Sequence, residues 1–247
     1  MINEVISIAK EASKAIMLIY KNDTFDIKIK SDNSPLTKAD LISNEIIVNG
    51  LKKISNYPII TEESYIEYEK RKYWNKYWIV DPLDGTKDFV AKNGEFTINI
   101  ALIHNQKPIL GIIYIPVSDD VYYAKLNNGS FKNGIKIYNT STRKELIGSD
   151  SNFHSSKETI DFFKSNSILN IKRFGSSLKF CKLAEGVIDV YPRFNGTKEW
   201  DTAAGDIIVK EAGCIILNIK TKKELIYNKE NIQNNYFIAQ RNNLNFL

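Results

Sequence analysis

The chain has 247 residues, enough for one large domain with a sizeable buried core and short of two. With 43% hydrophobic and 26% charged residues its composition is globular, which excludes wholesale disorder. The net charge of +5 suits an anionic small ligand and falls far short of a nucleic-acid-binding tail.

In chain order, Val5, Ile8, Ala9, Ala12, Ala15, Ile16 and Ile19 mark a helix over 3–21. A polar stretch, "KIKSDNSPLTKAD", leads to a second helix from about Thr37 to Ile54. Strands follow at "YPIIT", "YWIVD", "FTINIALIH" and "PILGIIYIP", the third alternating only in part. "NNGSFKNG" (127–134) reads as hairpin turns between "VYYAKL" and "IKIYN". From there strands and helices alternate: "ELIGSD", "SKETIDFFKS", "ILNIKRFG", "SSLKFCKLAEG", "VIDVYP", "DTAAGDIIVKEAG", then the strands "CIILN" and "YFIAQ". Helices with antiparallel hairpins, then alternation, predict an α+β fold of stacked helix and sheet layers. No repeat or linker interrupts it, so residues 1–247 are expected to form one domain with sub-halves of about 1–140 and 141–247.

Cys181 and Cys214 have no paired spacing, which points to a reducing compartment; both sit in apolar patterns and read as core residues. No leader is recognisable, and no run approaches the roughly 18 apolar residues of a spanning helix. The expected location is cytoplasmic, with a peripheral seat at the inner membrane face left open.

The chemistry concentrates in "WIVDPLDGTKDFV" (78–90). Pro82 fixes its own φ and has no N–H, so the strand is expected to end there and the chain to turn. Asp81 and Asp84 on such a turn can converge on one point, and a hard divalent cation such as Mg²⁺ removes the cost of burying both. The plainer alternative is a solvated Asp-Pro turn. Gly85 and Thr86 open a short helix, "TKDFVAK", whose first N–H groups suit an anion. Metal-binding acids beside a phosphate cradle are the parts that phosphate-ester hydrolysis needs. Further acids each have two readings. Glu62 and Glu63 are a solvated strand end or part of the site. Asp201, in "EWDTAAGD", is a helix N-cap or a ligand. Asp40, in Thr37-x-x-Asp40, closes a capping box or hydrogen-bonds the Thr86 hydroxyl that orients a water.

Glu62-Glu63-Ser64, "DPLDGT" (81–86) and "WDTAAGD" (200–206), in that order, resemble the three signatures of the Mg²⁺-dependent, lithium-sensitive inositol monophosphatase superfamily. The similarity runs from the first helix to about residue 217. It implies a layered αβαβα sandwich and two or three Mg²⁺ per site. Glu62, Asp81 and the Leu83 carbonyl would ligate one ion, and Asp81 would bridge to a second held by Asp84 and Asp201. Gly85 and Thr86 would bind the scissile phosphate. Asp40 and Thr86 would activate water, with Glu63 in support, for a one-step in-line displacement without a phosphoenzyme. Within the superfamily, "KNGEFTINIALI" (92–103), "GSSLKFCKLAEG" (175–186) and "DVYPRF" (189–194) resemble the CysQ-type 3′(2′),5′-bisphosphate nucleotidase branch. That branch converts adenosine 3′,5′-bisphosphate to AMP and phosphate, clearing a by-product of sulfate assimilation. The implied substrate site takes in Glu62, Leu83, Asp84, Gly85, Thr86, Ser176, Lys179, Arg193 and Asp201. Lys179, Arg193 and Lys198 are candidates for the second phosphate, against the alternative of solvated surface charges. Asn195-Gly196 stands where the branch usually shows Gly-Pro.

Other readings are weaker. An inositol or sugar-phosphate phosphatase would share the metal site. A haloacid-dehalogenase-type phosphatase uses Asp-x-Asp-Gly-Thr, and Asp81 and Asp84 are spaced one residue too far for it. "YEKRKYWNKYW" (68–78) interleaves bases and aromatics as nucleic-acid surfaces do, or is a mobile basic loop. His104 and His154 lie too far apart for a histidine-rich zinc site, and no nucleic-acid partner is expected. A monomer and a homodimer are both compatible with the sequence.

Overall fold

Helix α1 (Ile2–Asn22) buries Val5, Ile8, Ala9, Ala12, Ile16 and Ile19, the stripe that helical periodicity dictates. In the computed structural model, which describes residues 1–22, 28–29 and 35–247, a two-residue ribbon follows, β1 (Lys28–Ile29) antiparallel to β2 (Pro35–Leu36). Part of the polar stretch "KIKSDNSPLTKAD" lies outside the described residues. Helix α2 (Lys38–Ile54) then packs along α1, with Thr37 as its N-cap.

The two helices cover one face of a seven-stranded sheet. Its strands lie in sequence order: β3 (Ile59–Thr61), β4 (Lys76–Asp84), β5 (Thr97–His104), β6 (Lys107–Ile115), β7 (Asp120–Lys125), β8 (Gly129–Lys132) and β9 (Ile135–Ile137). The β3–β4 pair is parallel and the others antiparallel. Two short helices, α3 (Tyr68–Arg71) and α4 (Thr86–Val90), flank β4. Trp78, Val80, Ile98, Ile100 and Ile112 face α1 and α2, while Tyr77, Ile79, Ala101, Ile103 and Ile113 face the opposite layer. Both faces are covered, so "FTINIALIH" alternates with polar residues only at Thr97 and Asn99, near the acids, and Ile100, Ala101, Leu102 and Ile103 run on as an apolar series.

The second half adds β10 (Ile147–Ser151), α5 (Lys157–Ser165), β11 (Asn170–Phe174), α6 (Leu178–Ala184), β12 (Val190–Arg193), α7 (Glu199–Glu211), β13 (Cys214–Asn218) and β14 (Phe237–Arg241). Its five strands run in the order β11-β10-β12-β14-β13. The β10 pairs are parallel, and β14 is antiparallel to both its neighbours. Helices α6 and α7 fill the space between the sheets, where Leu183, Ala203, Ala204 and Ile207 join Ile103, Cys214 and Phe237 in one core. On the outer face Phe163 of α5 packs with Ile168, Val190 and Ile238. The stack is helix, sheet, helix, sheet, helix, as expected. Cys181 and Cys214 are free and buried in the inter-sheet core. No helix among the described residues is long and apolar enough to cross a membrane.

One expectation fails. Strand β4 does not end at Pro82 but continues to Asp84. Asp81 pairs with Asn99 and Asp84 with Thr97, three steps on one strand against two on the other. This is a bulge, one of the few sheet positions where a residue without an N–H costs no ladder bond.

Candidate active site

The bulge sets the geometry of the acids. Asp81 is buried, and its Oδ1 accepts the Leu83 N–H at 3.1 Å. Oxygens of Asp81, Asp84 and Asp201 all lie within 4.8 Å of one another. Gly85 follows at φ +87°, a left-handed conformation that glycine adopts without strain, and turns the chain into α4. Thr86, at the start of that helix, places its Oγ1 3.2 Å from Asp40 Oδ1 and 3.3 Å from the Leu83 carbonyl.

Asp40 fills both of the roles the sequence left open. Its Oδ2 accepts the Thr37 N–H at 2.8 Å and the Thr37 hydroxyl at 2.5 Å, closing the capping box of α2. Its Oδ1 points to Thr86. Asp201 caps α7, but as the third residue of the helix rather than the N-cap: its Oδ2 accepts the Lys198 N–H at 2.7 Å. Glu62 follows β3, its N–H bonded to the Val80 carbonyl at 3.1 Å, and lines the same cavity as the aspartates. Glu63, one position on, is not among the cavity walls.

The cavity measures about 400 Å³ and is lined by both acids and cations. Lys179 and Arg193 share its wall with the acids and are 3% and 9% exposed, so neither is a solvated surface charge. The Lys179 ammonium donates to the carbonyls of Phe174 (2.9 Å) and Ser176 (2.7 Å). Arg193 donates through Nη1 to Ser151 Oγ at 2.7 Å, and its buried Nε has no partner. Ser176 adopts φ +43°, and its buried Oγ also lacks a partner. Lys198 lies on the wall, half-buried.

Burial pushes the Asp81 carboxyl well above the usual carboxylate range, and Glu62, Asp84, Asp201 and Asp40 push it the same way. Asp201 is raised by burial, then by Asp84 and Glu62. Asp84 is raised by burial too, with Lys179 and the Asn99 amide drawing it back. Burial, then Arg193, lowers Lys179 to about 8. Carboxylates that suppress one another's ionisation in a shared pocket are relieved by a cation among them, and an all-oxygen donor set suits a hard divalent ion. The residues present therefore fit a metal.

Several wall residues escaped the sequence reading. Asp88 is buried and accepts from Asn93 (2.5 Å) and Asn152 (3.0 Å). Asn152 also donates to Glu95 at 2.6 Å, which in turn accepts the Gly175 N–H at 2.7 Å. Phe153 and His154 line the cavity beside them. None carries a local signal, because an Asp in a short helix and an Asn after a strand are ordinary surface patterns. Gly196, at the departure from Gly-Pro, is a wall residue, and Asn195 donates to the His154 carbonyl at 2.6 Å. The basic-aromatic run is anchored at Arg71, buried and bonded to the Ile66 and Glu230 carbonyls and to Asn228 Oδ1. That accounts for one of its cations as a packing element.

The model of the inositol monophosphatase family matches residues 1–245. The chain belongs to the inositol monophosphatase family. Enzymes of this family are metal-dependent, which agrees with the acidic cluster. Among its relatives is the 3′(2′),5′-bisphosphate nucleotidase CysQ of Buchnera aphidicola, 42% identical over 86% of this chain and 82% of that one. The CysQ of Escherichia coli K12 is 40% identical over 86% of this chain and 88% of its own. The crystal structure of CysQ from Bacteroides thetaiotaomicron, a bacterial member of the family, superposes with a TM-score of 0.88 at 38% identity, covering 98% and 97% of the two chains.

Proposed function

We propose that this member of the inositol monophosphatase family is a 3′(2′),5′-bisphosphate nucleotidase, converting adenosine 3′,5′-bisphosphate to AMP and phosphate with Mg²⁺ as its cofactor. The observation that carries this reading is the make-up of the cavity wall, where the buried cations Lys179 and Arg193 stand in addition to the acids. A substrate with two phosphates needs cations at two places. Glu62, Asp81, the Leu83 carbonyl, Asp84 and Asp201 would hold the metal, and Lys179, Arg193 and Lys198 would receive the phosphate that is not cleaved. The CysQ relatives at about 40% identity support the nucleotide over an inositol phosphate.

A divalent ion, when bound, lowers the pKa of water and neutralises charge on phosphoryl oxygens. The chain's own residues do the rest. Gly85 and the first N–H groups of α4 receive the equatorial oxygens of the scissile phosphate, the positioning on which loose phosphoryl transition states mainly depend. Thr86 donates its one proton to Asp40 or to the Leu83 carbonyl, so its lone pairs face outward to accept from a water. Asp40, tied down through Thr37, keeps that hydroxyl in one orientation. Ser176 belongs to the cavity wall beside them. Glu63 supports Glu62 from outside the cavity. One domain is proposed, with residues up to about 140 supplying most metal and phosphate ligands and the remainder, Asp201 apart, the substrate wall. A reducing cytoplasmic setting belongs to this reading and accords with two free, buried cysteines.

Product analysis tests it. Adenosine 3′,5′-bisphosphate incubated with the protein and Mg²⁺ should yield AMP phosphorylated only at the 5′ position, and EDTA should stop the reaction. Adenosine 3′-phosphate as the product, or turnover indifferent to EDTA, would contradict it.

A further inference from the structure

Two motifs, "GEFTIN" (94–99) and "GSS" (175–177), meet beside the acids without belonging to them. Thr97, Asn99 and Ser177 are 0%, 1% and 2% exposed. Thr97 Oγ1 and Ser177 Oγ lie 2.7 Å apart, Ser177 Oγ donates to Asn99 Oδ1 at 2.6 Å, and Asn99 Nδ2 donates to Asp84 Oδ2 at 3.2 Å. Thr97 Oγ1 also lies 3.2 Å from Asn99 Oδ1 and is a second, longer donor to that oxygen; since each hydroxyl has one proton, the shortest contacts form a one-way relay, Thr97 to Ser177 to Asn99 to Asp84. Chains of this kind polarise in one direction, here toward a carboxylate. The turn that carries Ser177 is pinned in turn by the Gly175 N–H on Glu95.

We propose that Asn99 is a positioning residue for Asp84, and that Ser177 selects the orientation in which it works. An amide can present oxygen or nitrogen. With its oxygen toward Asp84 it would repel the carboxylate; the Ser177 proton holds that oxygen away and leaves the NH₂ on Asp84. One oxygen of Asp84 is thereby tied back and the plane of its carboxylate is set. The phosphatase depends on Asp84 as a ligand, so this inference rests on the metal-dependent reading above. It also gives the "GSS" turn a task of its own, since Ser177 reaches through Asn99 to the acid.

The test is metal binding without turnover. Mn²⁺ is titrated into the whole protein, free ion being followed by electron paramagnetic resonance, for wild type, Ser177→Ala and Asn99→Leu, alongside thermal melts in EDTA. Both variants should bind Mn²⁺ about 10–100-fold more weakly, the range seen when partners of metal ligands are removed. Ser177→Ala should melt within a few degrees of wild type, and it decides the matter if Asn99→Leu fails to fold. Wild-type Mn²⁺ affinity in a folded Ser177→Ala would overturn the proposal, leaving the relay a packing feature. Absence of Mn²⁺ binding by wild type would instead sink the metal-dependent reading on which the proposal stands.

Discussion

A carboxylate has two oxygens, and at Asp40 each has its own task, one closing the cap of α2 and one meeting Thr86. The same economy recurs at Asp201, which caps α7 and faces the other acids. Sequence patterns offered these as alternatives, because a capping box and a site acid demand the same residue at the same place. The pair Asp81 and Asp84 was legible from its spacing alone. Its bulge was not, since the rule for proline names a lost N–H and says nothing of the partner strand that skips a residue. Asp81→Asn and Asp84→Asn should each lower kcat by more than about 100-fold, beyond the effect of removing an outer partner. Full activity in either would remove that residue from the site. A pH prediction attaches to Asp206, away from the proposed ligands. Burial raises its carboxyl to about 6, against which the Tyr227 hydroxyl, donating at 2.8 Å, works. Because the folded state holds this proton more tightly than the unfolded chain, stability from this group is present below the ordinary carboxylate range and is lost as pH rises through about 6. Asp206→Asn keeps an acceptor for Tyr227 and should gain up to roughly 3 kcal/mol on wild type between pH 4 and pH 8. Urea unfolding at the two pH values reads it, and a difference constant with pH would contradict it.

At the scale of elements, α7 is the part that carries Asp201 to the acids of β4. It can do so because its small face, Ala203, Ala204 and Gly205, lies close on the central sheet and on α6. Gly111 of β6 is the opposing contact. A methyl group there would stand 2.5 Å from Ile207 Cγ2 and 2.7 Å from the Ala204 carbonyl, which is helix backbone and has little room to yield. Gly111→Ala should cost about 1–3 kcal/mol as overpacking and, by lifting α7 from the sheet, weaken divalent-ion binding as well. Urea midpoints and a metal titration check both halves; an unchanged pair would show that α7 has slack. "DTAAGD" announced a helix with one small face, so this element was readable. The central strands were readable as strands but not as a doubly covered sheet, because burial of both faces erases the alternation that tells inside from outside.

The molecule brings its cavity together from six separated stretches, near residues 62, 81–88, 151–154, 175–180, 191–202 and 237. Recurrent motifs marked the stretches that hold the acids. What they left dark is which cations are buried. Lys179 and Arg193 were candidates for the second phosphate that one dimension could not tell from surface charges, and only the stacking of two sheets around α6 and α7 turns them inward. The part of the wall formed by Asp88, Asn152, Phe153 and His154 belongs to that same assembly. A cavity walled by both acids and buried cations is therefore a property of the whole fold, and it is what favours a substrate with two phosphates. Phosphate release from adenosine 3′,5′-bisphosphate, inositol 1-phosphate and fructose 1,6-bisphosphate, each with Mg²⁺ and with and without Li⁺, measures that directly. Buried Lys179 and Arg193 in the cavity wall predict the highest kcat/KM for the nucleotide, suppressed by Li⁺. Equal or faster release from inositol 1-phosphate, which has no second phosphate for Lys179 and Arg193, would contradict it.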